Sequence, residues 1–281
     1  MITLKSYFPL NTHLIRITGA KAAAFLHGQL TNSITDLPVG LSNYNLLLTQ
    51  KGKVLADLFV VNRGEFFDLI VNDFGFETVL AHLQKLAPLS RCTVAETTDV
   101  ALHFLGEMSF DFPAFRTDRF GILGFDVLVP EDAVEEFTKK RALENFQELT
   151  SEEIELKRIQ NGVAQVGVDA TVDNLPQEAR LDRALHFKKG CYLGQETIAR
   201  LHFRGHVNKV LTAFSCDAVI AAGNEITDSQ GAVVGKVTSA ARAPSQNLTY
   251  ALGYAPAKAV AAGEDFFAAK NLLRILKIVK S

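Results

Sequence analysis

The sequence predicts an α+β protein in which mixed strands and helices are followed by a small C-terminal β-barrel. Up to about residue 205, short β-like runs alternate with stretches whose apolar residues recur at helical spacing. From Val207 onward, short apolar runs are separated only by Gly, Asn, Asp and Pro turns, as in a barrel or sandwich. We therefore expect domains at 1–205, with room for two interleaved subdomains, and at 206–281.

The individual elements follow from this pattern. Strands are predicted at residues 13–17, 44–49, 54–62 and 66–71, and later at 210–214, 233–237, 250–254 and 272–279. Helices are predicted at 20–30 and 76–86, where apolar residues share one face. Gly-containing turns separate the strands of the first group.

Two further helices are predicted in the middle of the chain. Pro130 begins a charged amphipathic stretch with Phe137 on its inner side. Thr150 and Glu153 form a capping-box pattern ahead of the next apolar stripe, and Gly162 ends that helix.

Composition excludes several classes of protein. The 281 residues are 48% hydrophobic and 21% charged with a formal charge of −2, so the whole chain gives no reason to expect nucleic-acid or membrane binding. No apolar run approaches the length of a bilayer span, and the N-terminus does not resemble a secretory signal. The three cysteines lie far apart, which argues against disulfides and zinc sites, and we expect a cytoplasmic protein.

The segment 180–209 departs from this charge balance. Its formal charge is +5 before histidines are counted. The basic residues are Arg180, Arg183, Lys188, Lys189, Arg200, Arg204 and Lys209, against Asp182 and Glu196.

Cys191 lies within this segment between two glycines. Gly190 and Gly194 permit conformations or close approaches that side chains forbid, and a short helix is predicted to follow at 195–201. A thiol beside two lysines and ahead of a helix N-terminus is favoured as thiolate, the form that attacks electrophiles and binds soft metals. The alternative is a small buried residue in a Gly-rich turn, and the residues alone do not decide between the two.

The motif around Cys191 resembles the signature of a known family. It reads Lys189-Gly190-Cys191-Tyr192-x-Gly194-Gln195-Glu196, continued by Ala199-Arg200 and Phe203-Arg204-Gly205. This is similar to the YgfZ-type folate-binding proteins, a branch of the aminomethyltransferase superfamily that includes tRNA-modification factors and mitochondrial iron–sulfur assembly proteins. Further segments agree in order: Phe25-Leu26-His27-Gly28-Gln29-Leu30-Thr31, Gly52-Lys53-Val54-Leu55-Ala56-Asp57 and Gly235-Lys236-Val237-Thr238-Ser239.

The resemblance implies an aminomethyltransferase-like folate-binding region ahead of the barrel. It also implies a folate-binding accessory protein for iron–sulfur cluster assembly or repair, which supports enzymes such as those that thiolate tRNA. Cys191 would be its functional thiol, within a site that also includes Lys189, Gly190, Tyr192, Gly194, Gln195, Glu196, Arg200 and Arg204. The cofactor would be tetrahydrofolate or a related folate, and the partners would be client enzymes or assembly proteins, with tRNA involved only indirectly.

No resident metal is expected. One cysteine cannot hold a [4Fe–4S] cluster, which takes four thiolates. Cys191 is therefore a candidate for a transient cluster ligand, a redox thiol or a nucleophile, and the sequence leaves these three roles open. We expect Cys92 and Cys216 to be structural.

Similarity to the glycine-cleavage aminomethyltransferase indicates three folate contacts. Arg158 stands where that enzyme has the arginine of an Arg-Leu-Glu-Ala-Gly run, and a guanidinium suits the folate carboxylates. An exposed helix arginine is the alternative interpretation. Asp126 and Asp57 occupy acidic positions of the enzyme, whereas Ile122 and Ala56 replace other acids, which argues against turnover.

Two rival functions remain, and whether the chain is an enzyme is left open. The first is a tetrahydrofolate-dependent aminomethyl or demethylating transferase. The second is a tRNA-binding module that uses the basic segment 180–209 directly on phosphates. A basic loop that only positions a partner protein is the plainest reading of that segment.

Overall fold

The computed structural model describes residues 5–106 and 109–276, in which there are sixteen strands and six α-helices. The chain divides into two compact units, each built from two separate stretches. The first contains Met1–Thr150 and Arg183–Gln195, and the second contains Ser151–Asp182 and Glu196–Ser281. The barrel begins at Lys209, close to the boundary predicted after residue 205, but its unit also takes in residues 151–182.

The first unit holds two five-stranded sheets and three helices. The strands are β1 (Ser6–Pro9), β2 (Thr12–Thr18), β3 (Ser42–Leu48), β4 (Val54–Asn62), β5 (Phe66–Asn72), β6 (Thr93–Thr97), β7 (Val100–Leu105), β8 (Ala114–Thr117), β9 (Gly124–Val129) and β10 (Gln147–Glu148). The helices are α1 (Ala22–Gln29), α2 (Phe76–Leu86) and α3 (Val134–Leu143).

One sheet has the strand order β3-β4-β5-β2-β6, and all its neighbouring strands are antiparallel. On its central strand, β5, the buried residues Phe67, Leu69 and Val71 point to one face, where they share a core with residues of α1 and α2. On α2 the buried residues Phe76, Val79 and Leu83 recur at helical spacing, which places them on the face toward the sheet.

The other sheet has the order β10-β1-β7-β9-β8, with β10 parallel to β1. Phe104 on β7 is completely buried at its centre. The Phe104 ring lies 5.3 Å from that of Tyr7 and 5.8 Å from that of Phe137 on α3, measured between centroids. These aromatic contacts attach α3 to the sheet.

The elements predicted for this unit are confirmed where they were predicted. The predicted strands correspond to β2, β3, β4 and β5, and the two predicted helices to α1 and α2. The helix expected after Pro130 begins as a 3₁₀ turn, Glu131–Ala133, and continues as α3, with Phe137 buried. The sequence did not predict the sheet that contains β1, β7 and β9.

The second unit contains a closed six-stranded barrel. Its strands are β11 (Lys209–Cys216), β12 (Glu225–Thr227), β13 (Val233–Ala243), β14 (Leu248–Pro256), β15 (Phe266–Ala268) and β16 (Asn271–Ile275), joined in the order β11-β14-β13-β12-β15-β16. The interior includes Phe214, Ile226 and Phe266. The predicted α+β class with a C-terminal barrel is thus confirmed. The last predicted strand corresponds to β16, and its end at 277–279 lies outside the described residues.

Three helices accompany the barrel: α4 (Ser151–Gln160), α5 (Gln195–Arg204) and α6 (Ala257–Ala262). α4 begins directly after Thr150, and the chain leaves it through Gly162 at φ +69°, as predicted. In the described ranges no helix combines the length and the apolar character that crossing a bilayer would require.

Arg158 joins α4 to the barrel through a buried ion pair. Its Nη1 donates to Asp169 at 2.6 Å and to the Val163 carbonyl at 2.6 Å, and its Nη2 donates to Ser239 at 2.9 Å. Nε and Nη2 also bind the carboxylate of Glu155, so all five N–H groups of the guanidinium have acceptors. The Asp169 carboxylate is fully buried and also accepts from Ser239 at 2.7 Å.

We expect Arg158→Met to lower the free energy of unfolding by about 3–5 kcal/mol, because it leaves the buried Asp169 carboxylate without its countercharge. The measurement is thermal melting of the purified chain without any ligand. Lys157→Met, one residue away on α4, is the control and should change stability by no more than about 0.5 kcal/mol. Equal melting temperatures for the two variants would contradict a structural role for Arg158.

Candidate functional site

Lys189 anchors the motif segment to the end of α1. Its ammonium nitrogen donates to the carbonyls of His27 at 2.6 Å, Leu30 at 2.6 Å and Asn32 at 2.8 Å. Carbonyls at a helix C-terminus have no partner within the helix, and an ammonium has three N–H groups, so three acceptors saturate it. Burial lowers the pKa of Lys189 to about 8, which keeps the ammonium the main form at pH 7. Its charge is therefore committed to α1, whereas the sequence suggested a free cation beside Cys191.

Tyr192 holds the other side of Cys191. Its side chain is buried, and its ring centroid lies 5.0 Å from the Lys189 ammonium nitrogen. Burial raises the pKa of Tyr192 to about 12, so the phenol stays neutral. Two buried side chains, that of Lys189 two residues before the cysteine and that of Tyr192 directly after it, thus hold this stretch of the backbone.

Only one of the two motif glycines is required by the backbone. Gly194 has φ +83°, and a Cβ there would lie 2.5 Å from the Thr49 carbonyl oxygen in the turn between β3 and β4. Gly190 lies outside the left-handed region, and a Cβ would meet only His27 Nε2 at 3.8 Å, an ordinary contact. The special conformation expected of both glycines therefore applies to Gly194.

Cys191 is exposed, whereas Cys92 and Cys216 are buried, and all three are free thiols. Burial raises the pKa of Cys92, as expected for a structural cysteine. The exposure of Cys191 rules out the alternative of a buried residue in a Gly-rich turn. Within the described part of the chain, no group of three or more His, Cys, Asp or Glu side chains is arranged to hold a metal ion.

His27 is a neighbour of this segment that the sequence analysis missed. Its Nδ1 accepts from the backbone N–H groups of Ile34 at 3.3 Å and Thr35 at 3.4 Å, which places the ring proton on Nε2, toward Gly190. Burial, assisted by the charge of Lys189, lowers the pKa of His27. His27 lies inside a quoted family segment, so the sequence did contain a signal for it.

The basic segment presents fewer free charges than its composition suggests. Arg180 is an exposed residue, yet its Nε donates to the Leu211 carbonyl at 2.6 Å, and partial burial of the guanidinium lowers its pKa. Arg183 donates to the Asp118 carbonyl at 2.9 Å. With Lys189 also engaged, at least three of the seven basic side chains donate internal hydrogen bonds, and the Lys209 ammonium lies over the Tyr254 ring.

The remaining motif residues lie on α5, which extends three residues beyond its prediction. Gln195 is its first residue, and the Gln195 N–H donates to the Tyr192 carbonyl at 3.2 Å. Glu196, Arg200 and Arg204 belong to the second unit and are exposed. Arg200 and Arg204 line a surface hollow together with the apolar side chains of Leu175 and Leu201.

A second set of functional candidates lies between the two sheets of the first unit. We call it the polar cluster, and it consists of Tyr44, Asp57, Phe59, Asp118, Arg119, Asp126 and Arg183. Asp57 accepts from the Tyr44 hydroxyl at 2.9 Å and from Asn72 Nδ2 at 2.8 Å. Burial raises the pKa of Tyr44 well above its ordinary value, so that hydroxyl stays a donor.

Asp126 is the fully buried acid of this cluster. It accepts from Arg119 Nε at 2.6 Å and Thr117 Oγ1 at 3.0 Å, and His103 Nδ1 lies 2.8 Å away. Burial acts to raise the pKa of Asp126, but the Arg119 guanidinium and the bond from His103 outweigh it and hold that pKa below the ordinary value. Asp126 is therefore an ionised group with several internal donors.

Arg119 was not predicted, and it connects the two predicted acids. Its guanidinium carbon lies 4.3 Å from the Phe59 ring centroid, and the Phe59 and Tyr44 rings are 5.0 Å apart. Its Nη2 is buried and has no hydrogen-bond acceptor in the part of the chain that the structure describes. Asp57 and Asp126 thus share one cluster, whereas Arg158, the third predicted folate contact, belongs to the other unit with every N–H engaged.

Comparisons with known proteins agree with this architecture. Residues 11–105 match the family model "GCVT N-terminal domain". The chain is 27% identical over 239 residues to the tRNA-modifying protein YgfZ of Aliivibrio fischeri, which covers 78% of this chain and 74% of that protein. It is 30% identical over 214 residues to an uncharacterized protein of Haemophilus influenzae, covering 72% and 70%.

This chain belongs to the YgfZ family. Another relative is the mitochondrial iron–sulfur cluster assembly factor IBA57 homolog of Pyricularia oryzae, 29% identical over 215 residues, which are 70% of this chain and 53% of that protein. The crystal structure of the glycine cleavage system aminomethyltransferase T from Bartonella henselae superposes with a TM-score of 0.84 at 23% identity, covering 97% of this chain and 84% of that one. The aminomethyltransferase-like fold is thereby confirmed.

We expect Lys189→Met to lower the free energy of unfolding by about 1–3 kcal/mol, because three backbone carbonyls, of which that of Leu30 is buried, lose their donor. Amide hydrogen exchange in the segment 187–194 should also become faster, since the segment is released from α1. Lys188→Met is the matched control, because Lys188 is exposed and adjacent. If both variants exchange at the wild-type rate, Lys189 does not anchor the motif.

We expect Gly194→Ala to lower the free energy of unfolding by about 2–4 kcal/mol, from left-handed strain together with the clash against Thr49. Urea denaturation of Gly194→Ala and of the control Gly190→Ala measures the free energy of unfolding of each variant. Gly190→Ala should stay close to wild type. A reversed order of stability would contradict the geometry described for the two glycines.

Proposed function

We propose that this chain is a folate-binding accessory protein that supports the assembly or repair of iron–sulfur clusters, including clusters of enzymes that modify tRNA. The observation that carries the proposal is the exposed thiol of Cys191 on a segment that is held by the buried side chains of Lys189 and Tyr192. An immobilised, accessible thiol suits chemistry with a partner better than it suits packing. The relatives described as a tRNA-modifying protein and an iron–sulfur cluster assembly factor support this setting.

Cys191 supplies one thiolate to a cluster that is cargo. A [4Fe–4S] cluster takes four thiolates, so the other ligands would come from the client protein or from a small thiol. His27, with its Nε2 proton toward Gly190, adds a neutral hydrogen-bond donor near the cysteine segment. Hydrogen bonds to thiolate sulfur are one of the means by which proteins tune such ligands.

The polar cluster is the part of the first unit that suits folate. Tyr44 and Phe59 provide aromatic surface, Asp57 provides acceptors, and Arg119 provides a donor that has no partner in the described part of the chain. A pteridine ring needs this combination of flat contacts with a few oriented polar groups. Tetrahydrofolate, when bound, supplies a carrier for one-carbon units. Asp57 and Asp126 would orient the ring, and Arg158 would stabilise the second unit.

We expect Cys191→Ser to lose the ability to restore cluster-dependent enzyme activities in a strain that lacks its own YgfZ-type protein. Serine keeps the size of the side chain but supplies neither a thiolate nor a soft ligand. Activity of a cluster-dependent tRNA-thiolating enzyme in cell extract is the readout. Loss of at least about tenfold is expected if the thiol is required, on the scale of removing a functional ligand.

Cys92→Ser is the control for this experiment, since it removes a buried thiol whose Sγ donates to the Ser90 carbonyl at 3.6 Å, a bond that serine can also make. Melting temperatures of both variants establish that they are folded. Full restoration by Cys191→Ser would remove the thiol role. Steady formation of methylene-tetrahydrofolate by the purified chain would instead identify an aminomethyl transferase.

A further inference from the structure

We propose that Arg119 donates a hydrogen bond to the carbonyl oxygen of the bound pteridine ring and so selects a 4-oxo ring over a 4-amino ring. The inference rests on the proposed folate binding and adds to it the residue that reads the ring. It is distinct from the contact that the sequence suggested for Arg158, which was with the folate carboxylates.

The guanidinium of Arg119 is held on two sides, and its Nη2 donor has no hydrogen-bond acceptor among the described residues. Nε donates to Asp126 at 2.6 Å, and the face of the group lies over the Phe59 ring. Nη2 is buried without an acceptor among the described residues, and only 6% of the Arg119 side chain is exposed to solvent. A buried N–H without a partner is unfavourable and rare in native structures. A ligand oxygen would satisfy it.

The charges of the polar cluster favour a neutral ring over a carboxylate at this donor. Three carboxylates, those of Asp57, Asp118 and Asp126, face two guanidinium groups, those of Arg119 and Arg183. Asp126 already neutralises Arg119, and Asp118 pairs with Arg183. The glutamate tail of a folate would therefore add charge to a site whose formal balance is already negative.

The acceptors of the cluster complete the match to a pteridine edge. Asp57 Oδ1 and Oδ2 each accept one internal hydrogen bond, from Asn72 and Tyr44, and a carboxylate oxygen can accept a second. A 4-oxo pteridine presents one carbonyl oxygen beside ring and amino N–H groups. The ring can therefore accept from Arg119 while it donates to Asp57. If an amino group replaces the carbonyl oxygen, a donor faces the Arg119 donor and no hydrogen bond forms.

Arg119 and Arg158 differ in the way that decides a ligand contact. Both are buried and both pair with a buried aspartate. Each N–H of Arg158 already has an acceptor from its own unit, so a ligand would have to displace one. Arg119 can donate from Nη2 to a ligand oxygen without breaking an internal hydrogen bond.

The test is titration of the purified full-length chain with tetrahydrofolate, followed by calorimetry and melting temperature, for wild type, Arg119→Lys and Arg116→Lys. Lysine at 119 keeps a positive charge for Asp126, so the variant should fold, but it removes the Nη donors. We expect the Kd of Arg119→Lys to rise about 10- to 100-fold, as for loss of a charged hydrogen bond. Arg116 is exposed on β8, three residues before Arg119, and its variant should bind within about twofold of wild type.

A second probe separates ligand contact from a purely structural role. Wild type should bind tetrahydrofolate more tightly than tetrahydroaminopterin, which carries an amino group in place of the ring oxygen, and Arg119→Lys should lose that preference. Equal weakening for both probes, or unchanged affinity in Arg119→Lys, would overturn the assignment. If wild type binds neither probe, the proposed folate binding itself fails, and this inference fails with it.

Discussion

The bond between the Lys189 ammonium and three backbone carbonyls is the interaction on which the cysteine segment depends. The ammonium donates to carbonyls in and just after the last turn of α1. These carbonyls lie more than 150 residues earlier in the sequence. Because the acceptors belong to the backbone, the anchor does not depend on the identity of the side chains around it. Tyr192 and Gly194 then fix the path of the chain beyond the cysteine.

The site illustrates how far composition can indicate chemistry. The sequence correctly indicated that Cys191 is the accessible thiol, because motif and local charge pointed to the same residue. It could not indicate which cations are free, since that depends on distant partners: Arg158 is saturated by Asp169 and Ser239, the latter 81 residues away. Arg119 was missed for the same reason, because its unpaired donor is visible only once Asp126 and Phe59 are in place.

The fold was predictable where strands are long and paired with their neighbours in sequence. β3, β4 and β5 form such a meander, and α2 has a clear apolar face. The second sheet escaped prediction because β1 pairs with β7 and β10, which lie roughly a hundred residues or more further along the chain. Local periodicity carries no information about such partners, and the three-residue strands β12 and β15 are too short to produce a pattern.

The burial of Cys92 and Cys216 sets an upper limit on what oxidation can do to the folded chain. Disulfide exchange requires an accessible sulfur, and Cys191 is the one cysteine that meets this condition. Disulfide cross-linking of folded molecules therefore ends at a dimer, because a disulfide-linked dimer has no further accessible sulfur. A small-thiol adduct at the same sulfur would block pairing only until the Cys191 thiolate of a second molecule displaced the small thiol, so adduct and pair are successive products of one exchange reaction.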